Sequence, residues 1–98
     1  MPRRARVIAL TLYSRPGCHL CDDMKAVVAR AIHAADTPIQ LTEVDISTDP
    51  ELERAYGVEI PVLVVNGKKV AKYRVTEAEL VKILRDRSGG SGGLTRPT

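Results

Sequence analysis

The stretch V-I-A-L-T-L-Y-S-R-P-G-C-H-L-C, from Val7 to Cys21, changes its periodicity partway along, and that change decides the fold. Val7–Tyr13 is an almost unbroken apolar run, the pattern of a central strand covered on both faces. Ser14-Arg15-Pro16-Gly17 ends it. From Leu20 to Ala35 the period becomes helical: Leu20, Met24, Val27, Ala31 and Ile32 form one stripe, with Asp22, Asp23, Lys25, Arg30 and His33 off it. A strand, a turn and a helix follow one another, and both cysteines of the chain lie at the junction.

Outward from this unit the signals are local. Asp36-Thr37-Pro38 stops the helix. Ile39–Ile46 reads as a second strand, whose apolar parity changes between Leu41 and Val44; a bulge or burial on both sides would each explain that. A short helix begins at Thr48-Asp49-Pro50-Glu51. Either Thr48 and Glu51 make a capping box there, or Asp49 caps with Pro50 in the first turn. Gly57 ends that helix. Pro61–Val65 is a third strand, Asn66-Gly67 a hairpin turn, and Lys69–Val75 the returning fourth strand. Lys68, Lys69, Lys72 and Arg74 suit an exposed edge that must resist pairing with other chains. Thr76-Glu77-Ala78-Glu79 is a second capping box, opening a helix that buries Leu80, Ile83 and Leu84 and ends near Arg87. The order β-α-β-α-β-β-α predicts an α/β fold: a right-handed parallel crossover, then a hairpin, in a four-stranded mixed sheet with helices on both faces. Residues 1–6 read as a basic flexible leader, 7–87 as the one domain, and the Gly/Ser-rich residues 88–98 as a disordered tail.

A chain of 98 residues has room for one domain. Its three tyrosines are the only aromatics, which argues against base-stacking nucleic-acid readers. The net charge of +3 comes from the ends; residues 7–87 carry 11 basic and 12 acidic side chains. A nearly neutral body gives no support to a nucleic-acid face. No run approaches the roughly 18 apolar residues of a membrane span. Arg15 and Pro16 end the N-terminal apolar stretch without a cleavage site of the secretory type. The expectation is a soluble, cytoplasmic monomer without nucleic-acid or membrane partners.

Cys18 is placed at the mouth of the first helix, where unpaired N–H groups and the dipole favour a thiolate. Cys21 precedes Met24 and Val28 by three and seven residues, so it can face the core while Cys18 faces solvent. An accessible thiolate beside a shielded thiol is the arrangement that disulfide exchange needs, one attacking and the other resolving. Arg15 and a protonated His19 would favour the Cys18 thiolate; Asp22 and Asp23 oppose it. Tyr13, at the strand end, is placed to line the site. Two other readings stay open: a non-catalytic binding module, and a zinc or iron–sulfur carrier with its site between two chains. A metal site within one chain lacks ligands, since Cys18, Cys21 and His19 crowd one turn.

The chain resembles the glutaredoxin-like members of the thioredoxin superfamily over about Val7 to Arg87. The residues that carry the likeness are Tyr13 to Cys21, Val44-Asp45-Ile46, Tyr56-Gly57-Val58-Glu59-Ile60-Pro61-Val62 and Val65-Asn66-Gly67-Lys68. The resemblance implies a thioredoxin-like fold with sheet order 2-1-3-4. It also implies a cis Pro61 beside the cysteines and an Ile60 backbone that offers hydrogen bonds to an extended substrate. The implied activity is thiol–disulfide oxidoreduction, with Cys18 as nucleophile and Cys21 resolving. Tyr13, Arg15, His19, Ile60 and Pro61 would meet the substrate, a protein or small-thiol disulfide. No tightly bound cofactor and no metal are implied; glutathione is a candidate co-substrate, and the reductant would be glutathione or a thioredoxin-reductase-type protein. The chain departs from glutathione-using relatives after the hairpin, where Ala71-Lys72-Tyr73-Arg74 replaces paired glycines and a polar or acidic pair. Its Cys-x-x-Cys dipeptide is His19-Leu20.

Overall fold

In a computed structural model, which describes residues 7–35 and 37–88, the strand–turn–helix unit forms the centre of the molecule. β1 (Ile8–Ser14) leads into α1 (His19–Ala34), and β2 (Ile39–Asp45) returns parallel to β1. A single 3-10 turn (Ile46–Thr48) and α2 (Pro50–Tyr56) follow. β3 (Val62–Val65) and β4 (Lys68–Lys72) form the hairpin, and α3 (Glu77–Ser88) closes the fold. The sheet order is β2-β1-β3-β4, with β3 antiparallel to both β1 and β4. This is the expected α/β arrangement.

The largest aliphatic cluster lies on one face of that sheet, while Val62, which pairs with Tyr13 on the other face, and Ile46 are buried outside it. Ile8, Leu10 and Leu12 alternate along β1 and meet Leu63 and Val65 of β3. Met24, Val28 and Ala31 of α1 and Leu80 and Leu84 of α3 cover them. Each fully buried aliphatic side chain of this kind contributes about 1.5–3 kcal/mol. The expected burial of both faces of β1 does not occur: Ala9 is exposed and Thr11 and Tyr13 are half-buried. The short α2 reaches this second face at its Tyr13 end, where Tyr13 stacks on Tyr56. The buried stripe of α1 is also turned from the expected one. Cys21, Met24, Val28 and Ala31 are buried, while Leu20, Val27 and Ile32 flank them half-buried.

The parity change in β2 has neither expected cause. β2 is an edge strand, in register with β1 from Ile8–Ile39 to Ser14–Asp45 without a bulge, and most of its side chains are exposed. Ile39 and Leu41 lie on the face of Ile8 and Leu10, whereas Val44 lies on the face of Tyr13. Between them Glu43 takes the core-side position and pairs with Lys25 of α1. The irregularity in the sheet falls instead in the β3–β4 pair, at Leu63/Val64.

Caps and turns follow the local signals more closely. Asp49 caps α2, its Oδ1 accepting from the Glu51 N–H at 2.9 Å, with Pro50 in the first turn. Thr48 donates to the Asp45 carbonyl instead of capping. Thr76 and Glu79 form the reciprocal capping box of α3, at 3.1 and 2.9 Å. Asn66 and Gly67 both have positive φ, the twist of a tight hairpin. Asn66 also exchanges two hydrogen bonds with the backbone of Ala9, which fastens the hairpin to the start of β1. β4 ends at Lys72 rather than at the expected Val75, because Tyr73 adopts a φ of 71°. Gly57 ends α2 with right-handed dihedrals, not the left-handed ones expected of a terminal glycine. Its need is for space: an added Cβ would lie 2.5 Å from the Glu53 carbonyl oxygen.

α3 runs through Ser88; the expected leader, residues 1–6, and the tail from residue 89 onward lie outside the described residues. Among the described residues no helix is long and apolar enough to cross a membrane.

Candidate functional site

Cys18 and Cys21 are joined by a disulfide, with their Cα atoms 5.1 Å apart. The Pro16-Gly17 turn delivers Cys18 to the helix, and Gly17, at φ 81°, has the conformation that glycine adopts without strain. Cys18 is the N-cap of α1: its Sγ accepts from the Cys21 N–H at 3.0 Å, and its carbonyl accepts from the Asp22 N–H. The two sulfurs have different surroundings. Cys18 is half-buried at the helix mouth, whereas Cys21 is 2% exposed and belongs to the face of α1 that packs on the core.

Two side chains from α2 hold the segment before Cys18. The Arg15 guanidinium reaches Glu53 Oε1 at 2.7 Å, and the Tyr13 ring stacks on Tyr56 with centroids 4.3 Å apart. Burial, and then the neighbouring Tyr56, push the Tyr13 phenol above its ordinary value, so the ring is neutral at neutral pH. The positive charge expected from Arg15 at Cys18 is therefore largely committed to a carboxylate.

The loop before β3 is fastened from the other side. Ile60–Pro61 is the expected cis peptide bond, and Tyr13 pairs with Val62, so Pro61 immediately precedes β3, which starts one residue later than expected, at the end of the sheet from which the cysteine turn emerges. The Tyr73 N–H donates to the Pro61 carbonyl at 2.9 Å, and the Tyr73 hydroxyl donates to the Val58 carbonyl at 3.3 Å. Glu59 receives Lys69 at 2.7 Å and Lys72 at 3.6 Å. The Lys69 hydrogen bond is the main reason its carboxyl lies below the usual carboxylate range. Val58, next to this anchor, is 88% exposed.

Of the predicted site residues, Cys18 and Cys21 are bonded, and Tyr13, Arg15, Ile60 and Pro61 frame the same end of the sheet. His19 begins α1 and is exposed. The sequence reading missed the partners that hold this frame, namely Glu53, Tyr56, Glu59 and Tyr73. It also missed an open cavity of about 250 Å³ that has Cys21 in its wall together with Ser14, Lys25 and Glu43. Among the described residues no group of three or more His, Cys, Asp or Glu side chains is placed to hold a metal ion.

The fold recurs in known proteins. A protein from X. campestris, XcR50, is 34% identical; the match covers 76% of this chain and 93% of that one, with a TM-score of 0.65. Protein Ne2328 from Nitrosomonas europaea is 26% identical over 78% of this chain and 89% of that one, with a TM-score of 0.64. Chloroplastic thioredoxin z shares the fold at 13% identity, covering 89% and 83% of the two chains at a TM-score of 0.71. No curated protein sequence matches this one. Residues 9–85 match the glutaredoxin-like domain (DUF836), a span that takes in the cysteine turn, the cis-proline loop and all four strands but for the first residue of β1. With the fold and the cysteine pair in place, that match makes the chain a member of the glutaredoxin-like domain family.

Proposed function

We propose that the protein is a thiol–disulfide oxidoreductase acting on protein disulfides. In the reduced form the Cys18 thiolate attacks one sulfur of the substrate disulfide. A Cys18–substrate bond forms and the first substrate thiolate leaves. Cys21 then attacks Cys18, the second substrate thiolate leaves, and the Cys18–Cys21 disulfide remains. Two electrons pass from the cysteine pair to the substrate, and an external thiol reductant returns them.

The observation that carries this reading is the asymmetry of the pair. Cys18 accepts an N–H hydrogen bond at 3.0 Å at a helix N-terminus, while Cys21 is almost wholly shielded. Donors at a helix mouth favour a thiolate there, and a shielded partner reacts only with the sulfur bonded beside it. The Ile60 backbone and cis Pro61 offer an extended edge to a substrate segment, with Tyr13 and His19 beside it. Arg15 acts by holding the cysteine turn to α2. Arg15 and Lys72 are both paired with carboxylates, which supports a peptide substrate over a free tripeptide acid. Glutathione, or a thioredoxin-reductase-type protein, then has the role of reductant. The protein works as a monomer in the cytoplasm.

Equilibration in glutathione redox buffers, followed by alkylation and mass spectrometry, tests the reading. Reversible interconversion of the dithiol and disulfide is expected. A Cys18–glutathione adduct that accumulates in Cys21→Ser would identify glutathione as the reductant, and its absence a protein reductant. Thiols that do not respond to the buffer would remove the oxidoreductase reading.

A further inference from the structure

Resolution requires Cys21 to lose a proton, yet its sulfur has almost no direct exposure to solvent. The cavity in whose wall it lies is open to solvent, has charged and hydroxyl side chains in its lining and, at about 250 Å³, accommodates bridging water. Five charged groups reach it. Arg15, from the loop after β1, is paired with Glu53. Asp45, on β2, accepts at its Oδ1 from the N–H and hydroxyl of Ser47, which hold its carboxyl below the usual range. Asp22, on α1, is exposed and one position around the helix from Cys21. Lys25 and Glu43 remain, from α1 and β2. Lys25 is one helical turn beyond Cys21, on the same face. Its Nζ meets Glu43 Oε2 at 2.9 Å, and this hydrogen bond, with the Glu43 charge, raises the Lys25 pKa. The same oxygen accepts from the hydroxyl of Ser14, at 3.3 Å, the one polar side chain buried among the described residues.

We propose that Glu43 is the proton acceptor for Cys21, with Lys25 and Ser14 as positioning residues. The inference rests on the oxidoreductase reading above. In the mixed disulfide, the Cys21 S–H proton passes through cavity water to the Glu43 carboxylate. The Cys21 thiolate attacks Cys18, the Cys18–substrate bond breaks, and the substrate leaves as its thiolate. Glu43, only partly buried at the cavity rim, returns the proton to solvent. When the pair is reduced, the same route returns a proton to Cys21.

The test uses reduced protein and a dithiobis(nitrobenzoate) probe in stopped flow. The first release of coloured thiolate reports attack by Cys18, and the second reports resolution by Cys21. General-base groups commonly contribute about 10²–10⁴-fold. Glu43→Gln is expected to slow the second phase by about tenfold or more at neutral pH, leave the first unchanged, and leave a residual second phase that rises with pH as Cys21 loses its proton directly to solvent. Glu43→Asp is expected to restore part of the second-phase rate lost in Glu43→Gln, a result that loss of structure would not give. Thr42→Ala, on the opposite face of β2, serves as the control for the strand. Wild-type second-phase rate and pH profile in Glu43→Gln would overturn the role of Glu43 and leave the oxidoreductase reading standing. Absence of any second phase in the unmodified protein would overturn both.

Discussion

The two faces of the sheet are built by different means. On one, Leu10, Leu12, Leu63 and Val65 are closed over by α1 and α3 in a continuous aliphatic cluster. On the other, β1 shows an exposed Ala9 and a half-buried Thr11, Val62 is buried outside that cluster, and a ring stack and a half-exposed ion pair join α2 to the segment before Cys18. The first face holds the fold together; the second positions the cysteine turn. Non-directional packing suits the former, and contacts with defined geometry suit the latter.

Substitutions on the two faces should therefore separate stability from reactivity. The largest loss of stability is expected from Leu63→Ala, about 3 kcal/mol by denaturant titration. The residual folded protein should keep its ratio of Cys18 to Cys21 reactivity, and a collapsed ratio would break the distinction between the faces. Gly57→Ala comes next, at about 1–3 kcal/mol, because the new methyl meets the Glu53 carbonyl and crowds the carboxylate that holds Arg15. Tyr56→Ala removes the stack on Tyr13 for about 1–2 kcal/mol. Its main effect should be slower reaction at Cys18; an unchanged rate would show that α2 does not position the turn.

The smallest effect concerns the loop before β3. The Glu59 carboxyl is held low, chiefly by its hydrogen bond from Lys69, and the same bond holds the Lys69 ammonium high. A lowered carboxyl stabilises the fold above its ordinary value, and that contribution is lost as pH falls through the lowered one. A raised ammonium stabilises below its ordinary value, and that contribution is lost as pH rises through the raised one. The attachment is thus complete between about pH 4.3 and 10.4. The amide resonances of Glu59 and Ile60 should titrate with a midpoint below about 4.3. A midpoint at or above that value would contradict the attachment.

How far the sequence reading reached depends on the range of each signal. The cap at Asp49, the box at Thr76–Glu79 and the Asn66-Gly67 turn are decided within four residues, and each formed. The different burial of the two cysteines was legible in the spacing from Cys21 to Met24 and Val28. The extra coverage expected for β1 failed because an apolar run does not say whether a helix long enough to cover its second face exists. The parity change in β2 was visible, but its meaning was not. Glu43 answers to Lys25 and Ser14, and the Ser14 bond spans 29 residues. Arg15 was likewise assigned to the cysteine, because its partner Glu53 lies 38 residues away.

The most direct measurement is site-resolved alkylation of the reduced protein at pH 7 with limiting iodoacetamide, read by mass spectrometry. Cys18 should react about tenfold faster than a free thiol, a difference of about 1.4 kcal/mol, and Cys21 should be almost untouched in the folded protein. Equal rates at the two sulfurs, or a Cys18 no faster than free cysteine, would contradict the attacking-and-resolving pair on which the proposed function rests.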